Sequence, residues 1–171
     1  PDRAGKPPAL SRESTASEDP AREQRAHSAA VADLSNPVSW RMRPNPEVLA
    51  FRFADTGVFP NHPRLPVLVY KQVRTRADGD ANALASWFEQ TWPQHGWRPA
   101  WRWGVYDFPH YHSTAHEILG VYRGHAALRL GDRTGATLVV EAGDVLVLPA
   151  GTAHQNLGAS SDFHVVGGYP D

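Results

Sequence analysis

The chain has 171 residues, 41% of them hydrophobic, which is enough to close one core and too little for two independent domains. Seventeen Lys and Arg against eighteen Asp and Glu leave a formal charge of -1, so no global field draws nucleic acid or an anionic membrane. The absence of cysteine removes disulfides, thiolate ligands and thiol nucleophiles together.

Residues 1–45 are rich in Pro, Ala, Arg, Ser and Glu and poor in large apolar side chains, a composition that predicts a mobile tail. Within it, Asp19-Pro20 ahead of AREQRAHSAAVADL predicts a capped, alanine-rich helix over 20–34. No stretch has the apolar length of a membrane span, and the first residues lack the apolar core of a secretion signal; the expected location is the cytoplasm.

From Pro46 the pattern becomes that of one β domain reaching residue 171. Val48–Phe53 and Val67–Val73 read as strands separated by proline-punctuated loop. Asp80 caps a predicted helix whose Leu84, Trp87, Phe88 and Trp92 share one face, ending near Pro93 and Gly96. Short β-branched or aromatic runs follow at 97–108, 118–123, 126–130, 137–141, 145–148 and 163–169, with Gly- or Asp-bearing turns between them. Such spacing predicts an all-β fold, an antiparallel sandwich or small barrel with one or two peripheral helices.

The densest chemistry lies at 110–117, which holds His110, His112, His116 and Glu117, with His154 further on after Pro149-Ala150-Gly151. On a strand, His110 and His112 would leave the same face, with Tyr111 on the other. Glu117 has the wrong parity for an uninterrupted strand; either Ser113–Ala115 turns the chain and delivers Glu117, or His116 faces inward instead. Imidazole and carboxylate without sulfur suit one divalent transition metal ion: Fe, Mn, Co, Ni, Cu or Zn. His27, His62, His95 and His125 read as ordinary surface or core residues, and His164 fits either side of a late strand. Ser113 and Thr114 lack a traceable base and oriented acid, so no catalytic residue is assigned. No phosphate-binding loop and no nucleic-acid motif is found.

Two segments carry a family resemblance. Gly104, five residues, His110-x-His112, four residues, Glu117, six residues, Gly124 is similar to the first motif of the cupin superfamily; Gly143, five residues, Pro149-x-Gly151, two residues, His154 is similar to the second. The second motif usually continues to an Asn four residues after its His, where this chain has Gly158, with Asn156 two residues early. PHYHSTAHEILGV, AGDVLVLPAGTAHQN and NHPRLPVLVY resemble the small YjlB-like cupins. The resemblance covers residues 46–171 and implies a cupin β-barrel, or jelly roll, with a metal held by His110, His112, Glu117 and His154. It thereby favours Glu117 over His116. If parity runs on through Pro109, Arg102, Tyr106 and Phe108 share the face of His110, and Arg102 and Tyr106 become the expected substrate contacts. Trp97, Trp101 and Trp103 are then expected to pack outside the barrel, and Leu128, Leu130, Leu138 and Val140 to fill it. The expected function is that of a metal-dependent enzyme on a small organic molecule, oxygenase-type first and isomerase- or decarboxylase-type second. The alternative is a non-catalytic metal- or ligand-binding module. A homodimer is expected from the aromatic strands.

Overall fold

In the computed structural model, residues 41–75 and 80–171 are described; the helix expected at 20–34 lies outside them. A two-residue strand β1 (Arg41–Met42) is followed by β2 (Glu47–Phe51), β3 (Val67–Lys71), β4 (Arg74–Thr75), the helix α1 (Ala81–Thr91), a 3-10 turn (Trp92–His95) and β5 (Trp97–Trp103). Then come β6 (Glu117–Arg123), β7 (His125–Leu130), β8 (Ala136–Glu141), β9 (Val145–Leu148), β10 (His154–Ala159) and β11 (His164–Pro170). Among the described residues every strand pairing is antiparallel. A six-stranded sheet runs β2-β3-β9-β6-β11-β5, a three-stranded sheet runs β10-β7-β8, and β1 pairs with β4. This is the expected antiparallel jelly-roll barrel with a peripheral helix.

The two sheets share one core. Val67, Val69, Leu119, Val121, Leu146, Leu148 and Val165 of the larger sheet pack with Ala126, Leu128, Leu130 and Val140 of the smaller one, and Leu138 packs partly against them. Each such side chain contributes about 1.5–3 kcal/mol by leaving water. β7 alternates because its other face meets solvent, whereas β6 is buried on both faces and reads as an unbroken apolar run. The second covering of β6 is α1. Its Leu84, Ala85 and Phe88, with Trp92 just beyond, pack on Ile118, Tyr122, Val145 and Val166 of the outer sheet face. The helix begins as expected, with the Asp80 side chain accepting from the Asn82 amide at 3.0 Å.

A buried carboxylate ties the turns at one end of the sheet. Asp144, wholly buried, accepts from the amides of Gln72 (2.8 Å) and Glu141 (3.0 Å) and pairs with the Lys71 ammonium. It fastens the turn after β3 to the turn between β8 and β9.

Three expectations about elements change. β10 was not anticipated as a strand, because HQNLGA carries few of the β-branched residues that mark one. The run expected to stay extended to Phe108 leaves the sheet after Trp103. His110 and His112 lie outside regular strands; His110 joins the sheet only through an isolated bridge to His154.

Candidate metal centre

That bridge positions two of the expected ligands. The His110 amide donates to the His154 carbonyl at 3.1 Å and the His154 amide returns the bond at 2.9 Å, so the two imidazoles emerge side by side with ring centres 4.1 Å apart. His112 is brought up by the turn between β9 and β10, where the Gly151 amide donates to the His112 carbonyl at 2.8 Å. Gly151 has φ 86°, a left-handed conformation that a side chain would strain, and this turn requires it. Buried Asn61 clamps the same turn from outside. Its amide donates to the Gly151 carbonyl (2.9 Å), its Nδ2 to the Ala54 carbonyl (2.9 Å), and its Oδ1 accepts from the Ala153 amide (3.3 Å).

The ring orientations follow from backbone partners. His110 Nδ1 lies 3.2 Å from the Phe108 carbonyl and His154 Nδ1 lies 3.4 Å from that of Thr152. Protonated there, both rings leave the Nε2 lone pair free for an ion. Ligand nitrogens of His110, His112 and His154 all lie within 4.8 Å of one another.

Residues 113 and 114 bend the chain, and Glu117 opens β6 with 2% of its surface exposed. Its Oε1 lies 3.3 Å from His112 Nε2 and accepts from the Tyr169 hydroxyl at 3.3 Å. Its Oε2 lies 3.2 Å from His154 Nε2, yet no donor is aligned to it, and it stays buried without a hydrogen bond. A buried carboxylate oxygen left in this state among three imidazoles fits a site made for a cation.

Charge tuning agrees with the geometry. Burial pushes the Glu117 pKa up, but the adjoining imidazoles of His112 and His154 outweigh it and hold the group down at about 2, so the carboxylate is charged at neutral pH. His110 is shifted down by burial first and by the neighbouring His154 second, toward the neutral form an ion requires. His112 is shifted up, chiefly by its hydrogen bond to Glu117.

His116 goes elsewhere. Its Nδ1 accepts from the Ala150 amide at 2.9 Å, and its ring packs 5.9 Å from that of His62. The bend at 113–114 thus brings Glu117, and not His116, to the three histidines.

A cavity of about 260 Å³ opens over the cluster, and Tyr106 lines it. Arg102 does not. It forms a two-pronged ion pair with Glu89 of α1, both contacts 2.6 Å, on the helix side of the sheet. The chain leaves the sheet after Trp103, so the parity of His110 does not carry back to Arg102; a β-bulge acts on its other side, where β11 pairs Gly167 with Trp101 but the next residue, Gly168, with Pro99, so Ala100 is extra and the faces before and after it invert. Trp97 still packs toward the helix, while Trp101 and Trp103, expected outside, turn inward to the cavity wall. Trp101 lies across Gly167, where any Cβ would sit 2.1 Å from the indole. His164 is outside the cavity, edge-on to Trp103 at 6.4 Å.

Tyr169 was not singled out from the sequence. It shares parity with buried Val165 on β11, which was the available signal, and it carries both the bond to Glu117 and one from Trp101 Nε1 at 3.4 Å. Burial raises its pKa, so the hydroxyl keeps its proton and remains a donor.

No family model matches the chain. The uncharacterized protein YjlB of Bacillus subtilis is 37% identical over 124 residues, which cover 72% of this chain and 70% of that relative. Among solved structures, a DUF861 family protein from Thermotoga maritima is similar at 19% identity with a TM-score of 0.33, covering 46% of this chain and 84% of the other. YcfD, a ribosomal oxygenase from Escherichia coli, is similar at 15% identity with a TM-score of 0.36, covering 63% and 32%.

Proposed function

The chain belongs to the family of YjlB, and we propose that it is a cupin and a mononuclear metal-dependent enzyme acting on a small organic molecule, with oxygen insertion as its reaction. The observation that carries this is the cluster of His110, His112 and His154, whose ligand nitrogens lie within 4.8 Å of one another at a cavity, with the buried Glu117 carboxylate 3.3 Å from His112 Nε2 and 3.2 Å from His154 Nε2. The three histidines would hold the ion through Nε2 and Glu117 through Oε2. Three nitrogens and one oxygen suit Fe, Mn, Co, Ni, Cu or Zn and leave positions open on a six-coordinate ion. A redox-active ion held there would supply the Lewis-acid and electron-transfer chemistry that oxygen insertion into a chelating molecule needs.

The protein's own groups do the rest. Tyr169 donates to Oε1 and would leave Oε2 for the ion. The Phe108 and Thr152 carbonyls lock the His110 and His154 rings. Val105, Leu119 and Trp101 line the cavity with apolar surface that limits water around the reacting centre. The test is oxygen uptake by Fe(II)-loaded protein with a panel of diketones, phenols and thiols. Uptake well above that of the His110→Ala, His112→Ala double variant is the expected result. Turnover without oxygen consumption in Zn- or Mn-loaded protein would replace this reaction by a redox-neutral one, and tight metal binding with no turnover at all would point to a binding module.

A further inference from the structure

From the cavity lining we infer that the substrate is a planar aromatic molecule of one or two rings with a single oxygen-bearing chelating edge, and that Trp103 and Tyr106 select it. The inference deepens the reading above and rests on it. Its first support is what faces the cavity. Apart from the three histidines and Glu117, the wall is built from Trp101, Trp103, Val105, Tyr106, Leu119 and Tyr169, with Gly104 between them. Among the described residues that line it there is no Lys, Arg, Ser, Thr, Asn or Gln. A second carboxylate on a substrate would find no counterion, and sugar hydroxyls would find few partners; burying either unpaired costs several-fold to several-hundred-fold in affinity.

Arginines near in sequence are spent elsewhere. Arg102 is paired with Glu89, Arg123 donates to the Asp162 carbonyl, and Arg129 donates to Gln155. Among the described residues that line it, the strong anchor left for a polar group is the ion that the histidines would hold. The polar end of the substrate therefore points to the histidines and its body lies against the aromatic wall.

The second support is the rim. Trp103 is 68% exposed and Tyr106 58% exposed, and Tyr106 stacks on Phe108 at 4.8 Å while meeting His110 edge-on at 5.0 Å. Large aromatic faces standing open around a cavity mouth gain free energy from a flat partner that covers them. A volume of about 260 Å³ admits a small ring system.

The experiment is calorimetric titration of the full chain loaded with zinc, which cannot turn the ligand over, with zinc content measured on the same samples. The probes are 2,3-dihydroxynaphthalene, oxalate and 2-oxoglutarate. The dihydroxynaphthalene is expected to bind at least about tenfold tighter than either acid, and Trp103→Ala and Tyr106→Ala each to weaken it about five- to tenfold while zinc content and oxalate affinity stay unchanged. Both side chains are largely exposed, so these variants keep the fold. Equal or tighter binding of the acids overturns the inference, as does an aromatic affinity that neither variant alters. If the chain retains no zinc, the metal reading fails by itself; 2-naphthol titrated into the metal-free chain then decides this inference. Binding weakened by Trp103→Ala supports it, and no binding overturns it.

Discussion

Glu117→Gln is expected to weaken metal retention by at least about 100-fold, while His116→Gln leaves it unchanged. Loss of an outer hydrogen-bonding partner typically costs about 10–100-fold, and removal of the charged ligand itself must exceed that. Gln preserves the shape of the side chain and its contacts with Tyr169 and His112, so the change falls on charge at the ion. The carboxylate is held down at about 2 by its imidazole neighbours, which means that it offers a full negative charge over the whole physiological range. His116 has its Nδ1 committed to the Ala150 amide, which places the remaining proton on Nε2 and leaves no lone pair for an ion. Competition with a chromogenic chelator reads both variants. Weakening by His116→Gln with no effect of Glu117→Gln would reverse the ligand assignment.

The largest stability effect is expected at Asp144. Asp144→Ala leaves the Lys71 ammonium with the Val139 carbonyl alone and deprives the amides of Gln72 and Glu141 of their side-chain acceptor. The expected cost is about 2–4 kcal/mol, since two part-buried amides lose their acceptor while the partly exposed Lys71 keeps a carbonyl partner. Urea unfolding followed by tryptophan fluorescence measures it. A loss below about 1 kcal/mol would mean that the turns it joins are held by other contacts. Metal retention by the folded fraction should persist, because Asp144 takes no part in the cluster.

Much of this protein was legible in its residues because local chemistry and tertiary packing agree over most of the barrel. The helix from Asp80 could be read from its cap and from one apolar face, and it packs on that face. Leu128, Leu130 and Val140 alternate on strands whose other side meets water, so their inward direction followed from period two. The histidines were visible as types in sequence, yet their mutual placement depends on a long-range bridge between His110 and His154 and on the turn at Gly151, neither of which a strand period describes. Glu117 against His116 was ambiguous by parity alone and turns on the bend at 113–114.

The cavity wall was misread for a similar reason. The chain leaves the sheet after Trp103, so the parity of His110 does not reach Arg102, which pairs with Glu89, while one extra residue at Ala100 puts Trp97 on one face of β5 and Trp101 and Trp103 on the other, along the cavity wall. Such a bulge is set by the pairing with β11 and by Trp101 lying on Gly167, and leaves no mark in the strand's own pattern. Tyr169 was missed because a tyrosine late in a strand looks like many others until its hydroxyl is seen at Glu117.

The metal content of protein purified without a metal-affinity tag, set beside the His110→Ala, His112→Ala double variant, tests the central claim most directly. The wild-type chain is predicted to carry about one divalent transition metal ion and the variant almost none. Wild-type content no higher than that of the variant would contradict it.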